Sequence, residues 1–110
     1  MQHPLQITIR DIPHTEVLEN QIRDKADKLE HFCDHIIKCR VVLDMPQRSQ
    51  HQGKKYNVRI DIKVPKQELV INRCPNENIF IALDEAFDAA RRKLLRHMQR
   101  IRGEVKDHYY

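Results

Sequence analysis

The chain has 110 residues, a third of them charged, only 5% aromatic, and a net charge of +4. A chain of this length buries roughly 65% of the surface its unfolded form exposes, enough for one core of two packed layers. Charged and apolar residues interleave, no apolar run reaches the ~20 residues that span a bilayer, and “MQHPLQITIR” lacks the basic-then-apolar order of a secretory leader. Disorder, a membrane span and export are thereby set aside. A single cytoplasmic domain over residues 1–110 is expected.

“LQITIR” alternates Leu5, Ile7 and Ile9 with Gln6, Thr8 and Arg10, the pattern of a half-buried strand that Pro13 closes. From about His14 to Cys33, the apolar positions Leu18, Ile22, Ala26, Leu29 and Cys33 recur at helical steps. Thr15 with Glu16 marks the start of that helix. “IIKCRVVLDM” sets Ile37, Cys39, Val41, Leu43 and Met45 on one strand face, and “PQRSQHQG” reads as a loop or hairpin tip. “YNVRIDIKV” turns Tyr56, Val58, Ile60, Ile62 and Val64 inward; “PKQE” is a turn and “LVINR” the strand returning from it.

The remainder predicts a long helix over about 77–102, capped by Asn76 or Asn78, stopped by Gly103, with Leu83, Phe87, Ala90, Leu94, Met98 and Ile101 as its core stripe. The expected fold class is α+β: a β-α-β-β-β-α chain forming a four-stranded mixed sheet with two helices packed on one face, like a double-stranded-RNA-binding domain. Strands one and two, joined through a helix, are expected to be parallel neighbours.

Charge is distributed unevenly. Residues 1–35 hold four Lys/Arg against seven Asp/Glu, a net of −3; residues 36–110 hold sixteen against nine, a net of +7. “RRKLLRHMQRIR” alone, residues 91–102, carries six cations and no acid. On a helical wheel Arg92, Lys93, Arg96 and Arg100 oppose the core stripe, while Arg91 and Arg102 flank its edge. A helix dipole favours cations only in the last turn, at about 0.3–1 kcal/mol each, and like charges four residues apart destabilise a helix. The run therefore exceeds what helix electrostatics explains. It suits a polyanion, with RNA the commonest in the cytosol. Lys25 and Lys28 lie among acids on the first helix and, on composition alone, read as a solvated face.

Other chemistry is poorly supported. With only Gly53 and Gly103, a glycine-rich phosphate loop is excluded. No nucleophile–base arrangement or carboxylate pair stands out, so no enzyme activity, small-molecule substrate or cofactor is expected. “HFCDHI” brings His31, Cys33 and His35 close in sequence, but Cys33 belongs to the core stripe and a fourth zinc ligand is lacking, so no metal is expected. Cys33, Cys39 and Cys74 form no C-x-x-C pair and read as small core residues. Tyr56 and Phe87 sit on apolar stripes, core packing is expected for Phe32 and Phe80, and Tyr109 and Tyr110 are tail residues. That leaves few aromatics for stacking single-stranded bases.

Three stretches, “IRDKADKLEHFCDHI” followed by “VVL”, “YNVRIDIKVP” and “IFIALDEAFDAARRKLLRH”, together resemble the family of ribosome hibernation-promoting factors and ribosome-associated inhibitors, also known as protein Y and sigma-54 modulation protein. The resemblance covers nearly the whole chain and is to the family's short form, without the dimerising C-terminal domain. It implies binding to the small ribosomal subunit and its ribosomal RNA, across the messenger channel and tRNA sites, inhibiting translation and promoting hibernation under stress or in stationary phase. By position, Lys25 and Lys28 match the family's basic pair on the first helix and Arg92 the arginine of the second; Arg96 falls where another cation is usual and Lys93 adds one nearby. The RNA-binding set expected is thus Lys25, Lys28, Arg91, Arg92, Lys93, Arg96 and Arg100. Glu19 stands where many members have Arg, Ala89 where Lys is common, and “PKQE” where many turn through glycine. A generic RNA-binding module or RNA chaperone is the alternative, and a domain binding an acidic protein is a third. A monomer is favoured, with no membrane partner.

Overall fold

The computed structural model describes residues 1–45, 55–72 and 75–103. The elements run β1 (Gln6–Arg10), α1 (Glu16–Phe32), β2 (Lys38–Asp44), β3 (Asn57–Val64), β4 (Gln67–Asn72) and α2 (Ile79–Arg102). This is the expected α+β order. The sheet is ordered β1-β2-β3-β4, with β1 parallel to β2 and the other neighbours antiparallel.

Alternation fixes which sheet face the helices cover. Cys39, Val41 and Leu43 of β2, Val58, Ile60, Ile62 and Val64 of β3, and Leu69 and Ile71 of β4 are all buried. Against them pack Leu18, Ile22, Ala26 and Leu29 of α1 and Leu83, Phe87, Ala90 and Leu94 of α2. Burying each large aliphatic chain contributes about 1.5–3 kcal/mol, so this one face carries most of the stability.

The helix ends follow from their caps. The Thr15 hydroxyl accepts from the Leu18 amide at 3.2 Å, and the Asn78 side chain accepts from Phe80 and Ile81 at 2.9 and 3.3 Å. Gly103, at φ 78, ends α2 in the left-handed region where glycine avoids a Cβ clash.

Four expectations need correction. Leu94 ends the fully buried stripe of α2: Met98 is half-buried, Ile101 is 55% exposed, and His97 is buried instead. The reason is length. The 24 residues of α2 extend about 36 Å, whereas the eight of β3 span about 27 Å, so the last turns overhang the sheet. Phe80, expected in the core, is 41% exposed because it stands on the flank of a stripe that Ile79, Ala82 and Leu83 carry into the core. The strand face predicted through Met45 stops at Asp44. “PKQE” shrinks to Pro65 and Lys66, because Gln67 and Glu68 pair with Val64 and Lys63.

That tight turn places Lys66 at φ 68. Proline before a positive-φ residue is the type II pattern, which favours glycine at the second position. Replacing Lys66 by Gly is expected to leave stability unchanged or raise it by up to about 1 kcal/mol, whereas replacement by Val lowers it. Denaturant midpoints of the two variants check this.

Cys33 and Cys39 are free and buried. Burial raises both thiols, and with the nearby Asp61 carboxylate pushes Cys39 up to about 12, so neither is a thiolate at neutral pH. Cys74, Arg73, Tyr109, Tyr110 and loop residues 46–54, including Arg48 and Lys54, lie outside the described residues.

Candidate nucleic-acid interface

The cations of residues 91–96 part into three sets according to what lies beside them. Arg92 and Arg96, one turn apart on the outward ridge, are exposed and make no ion pair among the described residues. Lys93, on the flank toward the sheet edge, donates to the Val70 carbonyl of β4 at 2.9 Å. That contact satisfies an acceptor on an edge strand, where unpaired backbone invites association. Arg100 is exposed on the same helix. On the other flank, the Arg91 guanidinium lies 4.8 Å from the centroid of the Phe32 ring.

Between α1 and α2 runs a groove of about 530 Å³. Leu29 and Phe87 contribute apolar surface, α1 adds Lys25 and Lys28, and α2 adds Asp84, Asp88 and Arg91. The two lysines expected to act together differ here. Lys28 is exposed, but Lys25 is only 22% exposed and is ion-paired with Asp84. Sequence separation hid this pair, since the partners are 59 residues apart. A phosphate reaching Lys25 must therefore compete with Asp84. Replacing Asp84 by Asn is expected to raise affinity for a polyanion several-fold, because it frees Lys25 and removes a repelling charge. Polyphosphate titration of the variant and the parent checks it.

The opposite sheet face carries cations as well. Lys38, Arg40, Arg59 and Lys63 are exposed there, but Glu68 is interleaved with them and Arg59 donates to Asp61 at 3.1 Å. Lys38, Arg40 and Lys63 make no ion pair among the described residues, so bare cations stand on both faces; Arg92 and Arg96 are set apart by the lack of any acid over residues 91–102.

The family model described as “Sigma 54 modulation protein / S30EA ribosomal protein” matches residues 5–102. The chain belongs to this family. The match spans the described elements of the fold, from β1 through the basic end of α2. Among solved structures, a ribosomal subunit interface protein from Coxiella burnetii is similar at TM-score 0.72 and 13% identity, covering 86% of this chain and 96% of that one. The Protein Y N-terminal domain of Thermus thermophilus is similar at TM-score 0.69 and 18% identity, covering 88% and 99%. At such identities the likeness is one of fold. No curated protein matches the chain.

Within the family frame, Glu19 adds little bare negative charge. Arg23 donates to it at 2.7 and 3.1 Å, and His14 lies 2.9 Å away. These contacts, that of Arg23 foremost, lower its carboxyl below the usual range. Among the described residues, no helix is long and apolar enough to cross a membrane, and no three His, Cys, Asp or Glu side chains gather as a metal site requires.

His97, beside this surface, is 5% exposed, and its Nε2 has no hydrogen-bond partner among the described residues. Burial, then the charges of His35 and Arg100, lower it from 6.5. The folded chain thus resists a proton that the unfolded chain accepts, so stability falls as pH drops below about 6.5. A decline in melting temperature between about pH 7 and pH 5 is expected, and it should flatten in His97→Leu; an unaltered slope in that variant would remove His97 from the effect.

Proposed function

We propose that this chain is a ribosome-associated factor that binds the small subunit through ribosomal RNA, occupies the messenger channel and tRNA sites, and so inhibits translation and promotes hibernation under stress or in stationary phase. The observation that carries the reading is the Arg92–Arg96 ridge: two exposed arginines one turn apart, without an acidic partner among the described residues, within the span of the family match. Such a ridge neutralises successive phosphates and releases their counterions. Lys28 extends it across the groove, Arg91 and Arg100 flank it, and Lys25 joins once Asp84 releases it. Lys93 contributes least, because its ammonium is held by Val70.

No chemical step is needed. The sheet holds two helices rigidly, and exclusion of messenger and tRNA is steric. On this reading residues 1–110 act as one cytoplasmic ribosome-binding domain, monomeric, without cofactor or small-molecule substrate.

Co-sedimentation of the purified protein with small subunits and whole ribosomes across a salt series tests it. The expected result is close to one copy per small subunit, weakening steeply with salt. Failure to bind ribosomes at low salt overturns the reading; if free RNA is still bound, a general RNA-binding module takes its place.

A further inference from the structure

The groove between α1 and α2 contains a feature that phosphate binding leaves unexplained. Asp88 lines the groove with Lys28, Arg91 and the Lys25–Asp84 pair, yet makes no ion pair among the described residues. The helix dipole does not account for it either, because the first turn of α2 holds no acid and Asp88 lies beyond that turn. A bare carboxylate repels a phosphate. It attracts a hydrogen-bond donor.

The surroundings suit a flat heterocycle. The volume of about 530 Å³ falls within the range of small-molecule sites, and Leu29 and Phe87 offer apolar contact. Arg91 laid over Phe32 fixes a planar guanidinium against the ring. Arginine planes and aromatic rings are the surfaces on which unstacked RNA bases settle. Lys28 stands beside them to meet an adjoining phosphate.

We propose that this groove binds a single unstacked guanine base, stacked on the Arg91 guanidinium that Phe32 backs, with its donor edge on the Asp88 carboxylate. Guanine presents N1–H and the N2 amino group side by side, matching two carboxylate oxygens. Adenine and cytosine present one amino group beside an acceptor nitrogen, and uracil one N–H between two carbonyls, each of which sets a lone pair against the carboxylate. The proposal rests on the reading of the chain as an RNA binder and adds a base-reading site to it.

The test uses the full chain and short oligouridines carrying one central guanosine, adenosine, cytidine or abasic position, titrated by fluorescence anisotropy. The guanosine strand is expected to bind about tenfold more tightly than the abasic one, the size of a single two-point base contact. Asp88→Ala should erase that preference without weakening the abasic strand. Arg91→Lys, which keeps the charge and loses the plane, should reduce the preference as well. Competition by free guanosine monophosphate would identify a site open to a free nucleotide; lack of competition with the preference intact would identify recognition within an RNA strand, and both support a guanine site. Equal binding of the four strands, or an unchanged preference in Asp88→Ala, overturns it. Co-sedimentation with ribosomes is scored separately, so ribosome binding without base preference rejects this site alone.

Discussion

Arg92→Glu combined with Arg96→Glu is expected to abolish binding to small subunits, with a fall in affinity of at least about a hundredfold at physiological salt. Each reversal removes a phosphate contact and installs a repulsion, and neither arginine has an acid that already neutralises it among the described residues. Loss of two contacts should also lower the slope of log affinity against log salt by roughly 1.5. Folding should survive. Both side chains are exposed, the i, i+4 pair exchanges one like-charge repulsion for another, and the net effect on stability is within about 1 kcal/mol. Reversing Lys93 should weaken binding much less, because its ammonium is committed to the Val70 carbonyl. Sedimentation, with circular dichroism melts on the same samples, reads both quantities. Retained binding by a folded double variant would take this ridge out of the mechanism.

Leu83→Ala is expected to cost about 2–5 kcal/mol, the largest stability effect among the changes considered. Leu83 is fully buried between α2 and the sheet, and truncating it removes apolar contact and leaves a cavity. That is a large share of the 5–15 kcal/mol that separates folded from unfolded states in ordinary domains. It corresponds to a drop in melting temperature of roughly 10–30 °C. Ile101→Ala, at a position the helical stripe also assigns to the core, should cost less than about 0.5 kcal/mol, because Ile101 stands in the overhanging end of α2. Thermal melts of the two variants side by side test where the core ends. Equal losses would mean that the last turns of α2 are covered.

Element types and their order were legible in the sequence because each rests on local periodicity. The alternation of Val58, Ile60, Ile62 and Val64 and the helical steps of Leu18, Ile22, Ala26 and Leu29 determine which side of each element is buried, whatever it packs against. The caps at Thr15, Asn78 and Gly103 were legible for the same reason, since cap chemistry acts within a few residues. So was the family, carried by motifs spread along the chain. What periodicity does not set is how far the core runs. The point where α2 leaves the sheet depends on the length of β3, so the stripe runs on to Ile101 in the sequence but not in the fold, and His97 passed unnoticed.

The candidate site divides along the same line. Its charge was written in the sequence as the cations of residues 91–102, and so was the outward direction of Arg92 and Arg96. Which cations are already engaged was decided only by the tertiary structure. Lys25 meets Asp84 across the helix pair, Lys93 meets the backbone of β4, and Arg91 meets Phe32 of the other helix. A charge is a property of one residue, whereas its availability depends on residues that only folding brings near.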